Sequence, residues 1–310
     1  MQRENLNQIL QEVKKAVYGK DDVLEMVLTC ILAQGHILLD DIPGVGKTTM
    51  AMAFSKAMEL EQKRIQFTPD VMPSDVTGFT MLDKAANRFV FRKGAVFCNL
   101  LLADEINRTS ARTQSALLEA MEEYQVTVEG KVFKLPKPFI VIATQNPTGS
   151  AGTHMLPESQ LDRFCVKISM GYPSVEDEIL LLKKKSGPNP LLDIHPVISA
   201  EMLERLSRES EQVFIHDSIL SYIARMAAKS RINPHVALGI SPRGSLALCR
   251  MARAFAFLQG DEYVTPDHIR HVIKSVWNHR ILLKNEQANG YRETGEVIDE
   301  LLDTEKIDVR

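Results

Sequence analysis

The sequence predicts an α/β domain built on a five-stranded parallel sheet, followed by a second domain made of helices. Short apolar runs alternate with helical patterns up to Tyr172, and after Pro173 the runs disappear while helical spacing continues. Two of the runs, "NLLLA" and "FIVIA", are continuously apolar, as expected for strands buried on both faces of a parallel sheet. We therefore place the first domain at residues 1–172 and the second at residues 173–310.

Five apolar runs are the candidate strands of the sheet. In chain order they are "HILLD" (36–40), "RIQFT" (64–68), "VFCNLLLAD" (96–104), "FIVIAT" (139–144) and "CVKISM" (165–170). Two further segments interrupt the first domain. Residues 76–95 resemble a hairpin or loop insertion, and residues 125–134 alternate around Glu129–Gly130 as a β-hairpin does. A passive surface ribbon remains an alternative for both.

The second domain contains five stretches with helical spacing. They are "SVEDEILLLKKK", "SAEMLERLSRESEQV", "HDSILSYIARMAAKS", "SPRGSLALCRMARAFAFLQ" and "TPDHIRHVIKSVW". Several begin with a helix start signal, such as Thr265 followed by Pro266. The last residues, 280–310, are charged and less periodic, and we interpret them as a tail with one short helix.

Composition excludes several classes of protein. With 310 residues and 45% hydrophobic content the chain can bury a sizeable core, and its net charge of −3 gives no overall field that would select nucleic acid or an anionic membrane. The four cysteines are far apart and show no disulfide framework or CxxC spacing. The longest apolar stretch, 26–39, is too short to span a bilayer. We therefore expect a cytoplasmic protein without membrane insertion.

The stretch "LLDDIPGVGKTTM" resembles a phosphate-binding loop, whose strict pattern is G-x-x-x-x-G-K-[ST]. Gly46, Lys47 and Thr48 fill the end of the pattern, but its first position is Asp41. Backbone N–H groups hold phosphate at a helix N-terminus, so the chain must pass close to the ligand at Gly44 and Gly46. Lys47 supplies a charge for the outer phosphates, and the Thr48 hydroxyl can bind Mg²⁺. The alternative is an ordinary Gly/Pro turn.

Polar residues follow directly after two of the apolar runs. Asp104 and Glu105 follow the third run, and Asn146 follows the fourth. In parallel sheets ligands bind beyond the carboxyl ends of the strands. There Asp104 would hold Mg²⁺ through water, Glu105 would orient and polarise an attacking water, and Asn146 can position that water and contact the γ-phosphate. Solubilising charge and a turn residue before proline are the alternatives for these residues taken singly.

Two arginines stand in other motifs of the chain. Arg163 belongs to "LPESQLDRF" and Arg243 to "GISPRGSLAL". The guanidinium group is always charged and its fork geometry suits phosphate. Taken alone, each is better explained as an ordinary surface arginine.

Together these segments resemble the MoxR family of AAA+ ATPases. The segments that carry the resemblance are "VYGKDDVLEMVLTCILAQGHILLDDIPGVGKTT", "QFTPDVMPSDVTG", "NLLLADEINRTSARTQSALLEAMEE", "VIATQNP", "LPESQLDRF" and "SPRGSLAL". The resemblance covers nearly the whole chain. It implies an AAA+ P-loop core with a helical lid, ATP and Mg²⁺ as cofactors, and a homo-oligomeric ring, expected to be a hexamer. Within this family an aspartate such as Asp41 does occur at the first position of the loop.

The resemblance also assigns roles by position. The residues expected to bind the nucleotide are Val17, Tyr18, Gly19, Pro43, Gly44, Val45, Gly46, Lys47, Thr48, Thr49 and Asp104. Those expected to act in catalysis are Glu105, Asn146, Arg163 and Arg243. Thr48 and Asp104 are the expected Mg²⁺ ligands, Asp104 through water.

Each of these residues falls in a motif of the family. Lys47 and Thr48 lie in Walker A, Asp104 and Glu105 in Walker B, and Asn146 at sensor 1. Arg163 corresponds to the arginine finger, which would reach a neighbouring subunit, and Arg243 to sensor 2. Residues 76–95 correspond to the helix-2 insert, and residues 125–134 to the pre-sensor-1 hairpin.

The biological role implied by the resemblance is chaperone-like remodelling or maturation of other proteins. Proteins with von Willebrand factor A domains are the usual partners, and metal-cofactor insertion is one outcome. A nucleic-acid-dependent motor is the alternative, because helicases share the insert and the second hairpin carries Lys131 and Lys134, but the acidic balance of the chain argues against it. A small-molecule kinase would use the same loop without needing a helical domain that carries an arginine.

Overall fold

The computed structural model describes residues 2–41, 44–85, 87–145, 156–185, 189–284 and 293–307. Its strands are β1 (Ile37–Asp40), β2 (Gln62–Gln66), β3 (Gly78–Asp83), β4 (Arg88–Lys93), β5 (Leu100–Asp104), β6 (Gln125–Val128), β7 (Lys131–Lys134), β8 (Ile140–Gln145), β9 (Val166–Ile168), β10 (Val236–Leu238) and β11 (Leu282–Leu283). Its helices are α1 (Gln2–Lys14), α2 (Asp21–Leu32), α3 (Lys47–Ala57), α4 (Pro73–Thr77), α5 (Ala111–Glu123), α6 (Glu158–Leu161), α7 (Val175–Lys185), α8 (Ala200–Glu211), α9 (Asp217–Ile232), α10 (Pro242–Gln259), α11 (Pro266–Trp277) and α12 (Thr294–Thr304).

Five strands form the central sheet, in the order β2-β5-β8-β1-β9, and every pair is parallel. The predicted five-stranded parallel sheet is therefore confirmed, although β2 begins and ends two residues earlier than the apolar run suggested. Successive side chains of a strand point to opposite faces. Leu100 and Leu102 accordingly join one buried cluster, while Leu101 and Ala103 join another on the opposite face. Burial on both faces explains the continuous apolar sequence.

The sheet has two edges that matter for function. At the carboxyl edge, where the parallel strands end, lie the loop after β1 and the turn after β5. At the amino edge, where they begin, His36 precedes β1, and its carbonyl accepts a hydrogen bond from the Cys165 backbone N–H at 2.8 Å. Helix α5 starts near the carboxyl edge and ends at the amino edge. Its end is located by a hydrogen bond from Nε2 of the His36 ring to the carbonyl of Met121, at 3.0 Å.

Two antiparallel hairpins stand apart from the sheet, within the two segments singled out in the sequence. One pairs β3 with β4, and the other pairs β6 with β7. The second turns at Glu129 and Gly130, both with positive φ, which is the geometry of a tight two-residue hairpin loop. The rings of Phe91 and Phe133 stack with centroids 3.9 Å apart, so the two hairpins are joined by an aromatic contact.

The segment after Pro173 is mainly helical, as predicted. Helix α10 packs against α2, α8 and α11, and residues from both parts of the chain share one core. Trp277, the only tryptophan, is fully buried and donates from Nε1 to the carbonyl of Gly244 at 3.1 Å. The structure differs from the prediction of an all-helical second domain in one respect, because β10 and β11 form a short antiparallel ribbon. Strands of two or three residues are too short to produce a periodic pattern.

No helix in the described ranges combines the length and the apolar character that a membrane crossing requires.

Candidate nucleotide site

The loop after β1 has the conformation of an anion cradle. Gly44 and Gly46 have φ values of 90° and 96°, which side-chain-bearing residues rarely adopt. A Cβ atom added at either glycine would meet no atom within 4 Å, so the space beside the loop is open to a ligand. Helix α3 begins directly after Gly46 and directs its unpaired N–H groups toward this space. Val45, Thr48 and Thr49 are partly exposed, and Pro43 lies outside the described residues.

Asp41 has a structural role at the position where the strict pattern has glycine. Its side chain is buried and accepts hydrogen bonds from Ser169 Oγ at 2.7 Å and from the backbone N–H groups of Met170 at 2.5 Å and Gly171 at 3.0 Å. Asp41 does not have a positive φ, so its backbone does not need glycine. The carboxylate therefore fastens the start of the loop to the segment after β9.

Lys47 is buried at the base of the cradle and donates from Nζ to the carbonyl of Asp41 at 2.8 Å. Burial lowers the pKa of Lys47, while nearby carboxylates act in the opposite direction. These carboxylates belong to Asp41, Asp104, Glu105 and Asp40. The lysine and the acidic end of β5 thus lie at the same edge of the sheet, and the surplus of carboxylates over lysine suits a hard divalent cation.

Asp104 and Glu105 are held in place by Thr144 at the end of the neighbouring strand. The Thr144 hydroxyl donates to Asp104 Oδ1 at 2.6 Å and accepts from the backbone N–H of Glu105 at 2.9 Å. Glu105 has a φ of 56°, an uncommon conformation for a residue with a side chain, and uncommon conformations concentrate at functional sites. Thr144 is fully buried, so this arrangement is well fixed.

Two arginines at this edge were not identified from the sequence. Arg64 on β2 pairs with Asp104 Oδ2 at 2.7 Å, and Arg108 pairs with Glu105 Oε2 at 2.7 Å. Both guanidinium groups are partly exposed. The position of Arg64 follows from strand order, since β2 and β5 are neighbours although they are separated in sequence. Arg108 lies one turn after Glu105, and this spacing was a usable signal.

The segment at residues 17–19, which the family resemblance assigns to nucleotide binding, is connected to the loop through the end of β9. Val17 is buried, Tyr18 is partly buried, and Gly19 is exposed with a φ of 63°. Lys20 donates from Nζ to the carbonyl of Tyr172 at 2.8 Å. Tyr172 directly follows the residues bound by Asp41, so the two predicted nucleotide-binding segments meet at one edge.

Arg163 and Arg243 lie away from the loop after β1, and both form ion pairs with the same carboxylate. Arg163 Nε is 3.3 Å from Glu122 Oε2, and Arg243 pairs with the other oxygen of the same side chain. Glu122 is close to the end of α5, so this cluster is at the amino edge, opposite Lys47. Asn146, the fourth predicted catalytic residue, lies outside the described residues.

A buried arginine that was also missed fixes the base of this cluster. Arg280 donates from Nε to Asp162 Oδ1 at 2.7 Å, and Ser241 Oγ donates to Asp162 Oδ2 at 2.9 Å. Asp162 adjoins Arg163, and Ser241 is the N-cap of α10, which carries Arg243. The backbone segments that carry Arg163 and Arg243 are thus connected by the hydrogen bonds among Asp162, Ser241 and Arg280.

Comparison with known proteins agrees with this geometry. Residues 36–166 match the ATPase family associated with various cellular activities (AAA), and residues 228–301 match the AAA lid domain. The chain is 44% identical over 305 residues to YeaC of Bacillus subtilis, a protein without an assigned function, covering 98% of this chain and 95% of YeaC. It is 38% identical to the chaperone MoxR1 of Mycobacterium tuberculosis, covering 90% of this chain and 76% of that protein. A crystal structure of a protein assigned as an ATPase from Cytophaga hutchinsonii superposes with a TM-score of 0.92 at 35% identity, covering 99% and 96% of the two chains.

Proposed function

Because this chain belongs to the MoxR family of AAA+ ATPases and is therefore an ATPase, we propose that it couples ATP hydrolysis to the remodelling or maturation of partner proteins. The observation that carries the proposal is the open glycine cradle at the same edge of the sheet as the buried Lys47 and the acids Asp104 and Glu105. The similarity to a protein named a chaperone supports the remodelling role.

The residues of the carboxyl edge fit ATP with Mg²⁺. The N–H groups at the start of α3 and the Lys47 ammonium would hold the phosphates. Thr48 and Asp104 offer the oxygen ligands that Mg²⁺ prefers, and Mg²⁺ when bound would neutralise charge on the phosphates. Glu105, on its fixed backbone, would orient the attacking water, with Asn146 as its proposed helper. Val17, Tyr18 and Gly19 would flank the base.

The assembly that we propose is a homo-oligomeric ring, with a hexamer as the expected size. Its support is the position of Arg163 and Arg243 at the amino edge, where they are far from their own cradle and available to a second copy. Proteins with von Willebrand factor A domains are the partner class that we propose, and metal-cofactor insertion is one form that maturation would take. Both rest on the family resemblance. All four cysteines are free thiols, which supports a cytoplasmic location.

A nucleic-acid-dependent motor is the second candidate. The observation that favours it is the cationic character of the hairpins: the first carries Arg88, Arg92 and Lys93, and the second carries Lys131 and Lys134. Clustered positive charge beside exposed aromatic rings is also how single strands are bound. Stimulation of ATP turnover by single-stranded DNA, lost when salt is raised, would favour this function over protein remodelling.

The experiment begins with two variants at the carboxyl edge. Lys47→Ala removes the charge that faces the phosphates, so it should lose most of its ATP affinity. Glu105→Gln keeps the shape of the side chain and removes water activation, so it should bind ATP normally and lose turnover. Lys63→Ala, which removes a partly exposed lysine on β2, is the matched control and should resemble the wild type. Calorimetric binding and phosphate release measure the two properties separately.

The same Glu105→Gln variant identifies the partner. With ATP bound but not hydrolysed, a remodelling ATPase should retain its client, and mass spectrometry of the retained proteins would name it. A client that is captured equally by Lys47→Ala would argue against nucleotide-coupled binding. Equal ATP affinity of the wild type and Lys47→Ala would overturn the loop assignment itself.

A further inference from the structure

The carboxylate of Glu122 joins two arginines that are far apart in sequence. It contacts Arg163 Nε through one oxygen and Arg243 through the other. All three side chains are partly exposed, at 38% for Glu122, 32% for Arg163 and 41% for Arg243. The cluster is therefore on the surface, where a second molecule can reach it.

The position of the cluster argues against action on the nucleotide of its own chain. Arg163 is two residues before Cys165, whose backbone N–H is bonded to His36 at the start of β1. The cradle follows the other end of β1. The sheet therefore separates the cluster from its own cradle. A phosphate within reach of these arginines would therefore belong to an adjacent copy.

The way in which Glu122 is bound leaves donors free for that phosphate. A guanidinium group has five N–H donors in a fork. The contact of Glu122 with Arg163 is through Nε, and one carboxylate has too few acceptor sites to engage all the donors of two guanidinium groups. Two guanidinium groups also repel each other, and a carboxylate between them offsets this repulsion at short range.

The backbone beneath the pair is fixed by the buried unit described above. Asp162, the residue before Arg163, accepts hydrogen bonds from Arg280 and from Ser241. Ser241 in turn is two residues before Arg243. What remains to be fixed is the direction of the two long side chains themselves. Glu122 is the group that contacts both of them.

We propose that Glu122 is a positioning residue that holds Arg163 and Arg243 as a preformed pair for the γ-phosphate of ATP bound by an adjacent copy of this chain. The inference rests on the shared site of the proposed function. It adds that the arginine finger and sensor 2 work as one unit, and that a side chain which never touches the nucleotide sets their geometry. Preorganised donors lower the barrier because no reorganisation is needed when charge develops.

The test is the steady-state kinetics of Glu122→Gln. A displacement of about 1 Å in a catalytic group can lower the rate about 100-fold, so kcat should fall by roughly 10- to 100-fold. KM for ATP should change by less than about threefold, because Lys47 and the cradle, which bind the ground state, are unchanged. The interaction that is weakened is one that stabilises the transition state more than the bound substrate. Glu122→Asp keeps the charge on a shorter side chain and should recover part of kcat. Glu123→Gln, which removes the adjacent exposed carboxylate, is the matched control and should leave kcat unchanged.

A mixing experiment separates positioning from a structural role. A Glu122→Gln subunit keeps an intact cradle, and a Lys47→Ala subunit keeps an intact arginine pair. Rings mixed from these two variants should therefore turn over ATP faster than either variant alone. Thermal unfolding and sedimentation establish that Glu122→Gln folds and assembles like the wild type.

The outcomes distinguish this inference from the proposed function. If Arg163→Ala abolishes turnover while Glu122→Gln has wild-type kcat, the shared site stands and the role of Glu122 is wrong. If Arg163→Ala has wild-type kcat, the shared site itself is wrong. If both Glu122→Gln and Glu122→Asp fail to fold or to assemble, Glu122 is a structural residue and the inference is overturned.

Discussion

Replacing Arg280 by alanine should detach the second domain from the amino edge of the sheet. The Arg280 side chain is only 2% exposed, and its five donors are all used. Its hydrogen bonds reach Asp162 Oδ1, the carbonyls of Asp162, Phe164 and Cys165, and the carbonyl of Val276. Burial lowers the pKa of Arg280, and the Asp162 carboxylate is among the groups that oppose this shift.

The expected loss of stability follows from what Arg280→Ala leaves behind. Removing one partner of a buried pair typically costs about 3–5 kcal/mol, because the other charge stays unpaired. Asp162 is 21% exposed and keeps some contact with water, so the lower end, about 3 kcal/mol, applies. With a urea dependence of about 2–3 kcal/mol per molar, the unfolding midpoint should fall by about 1–1.5 M.

Trp277 makes the measurement local to this region. It is the only tryptophan, is fully buried, and lies one helical turn before Arg280, so its fluorescence reports the detachment. Arg205→Ala is the matched control: its side chain is 64% exposed and pairs with Glu209 within α8, a contact worth at most about 0.5 kcal/mol. A midpoint for Arg280→Ala equal to that of Arg205→Ala would refute the reasoning.

A double-mutant cycle sharpens the result. If Arg280 and Asp162 stabilise the protein as a pair, Asp162→Ala combined with Arg280→Ala should cost clearly less than the sum of the single variants, since neither charge is then left unpaired. Strict additivity would mean that Arg280 acts through its carbonyl contacts alone.

Two further predictions concern other parts of the fold. Burial lowers the pKa of His36 to about 4 from an ordinary value of 6.5. Between pH 6.5 and pH 4, His36 therefore takes up a proton in the unfolded chain but not in the folded one. The free energy of unfolding is highest above pH 6.5 and should fall by about 2 kcal/mol on going from pH 8 to pH 5. His36→Gln lacks this titration, so in urea unfolding its disadvantage relative to the wild type should shrink at pH 5, and an equal difference at both pH values would contradict the assignment. Phe133→Ala removes the stack on Phe91, worth about 0.5–1.5 kcal/mol, so trypsin should cleave after Lys131 about 2–13 times faster. An unchanged rate would show that the two hairpins are not coupled.

Local patterns were enough to predict the sheet and the carboxyl edge. Continuously apolar runs identify strands buried on both faces, and the polar residues after them identify the edge at which ligands bind. The loop at Gly44 to Thr48 and the acids Asp104 and Glu105 were therefore recognisable from sequence. Their placement beside one another follows from strand order, which the alternation of strands and helices constrains.

The amino edge was not predictable in the same way. Arg163 and Arg243 were recognised by motif, but their shared partner Glu122 is on a third element, and nothing in the local sequence of α5 marks it. Arg280 looked like part of a charged tail, whereas the structure buries it. Such contacts depend on how helices pack in three dimensions, and the periodicity of a helix gives its buried face without giving its neighbours.

Asp41 shows that a strict sequence pattern can combine two different requirements. Gly44 and Gly46 meet a backbone requirement, because their positive φ opens the loop to a ligand. Asp41 meets an architectural one, since its carboxylate ties the loop to Ser169, Met170 and Gly171. A genome search that demands glycine at the first position would discard this chain, although the two glycines with positive φ, the lysine and the hydroxyl residue of the pattern are all present. Motif definitions that weight only the inner glycines, the lysine and the hydroxyl residue would recover chains of this kind.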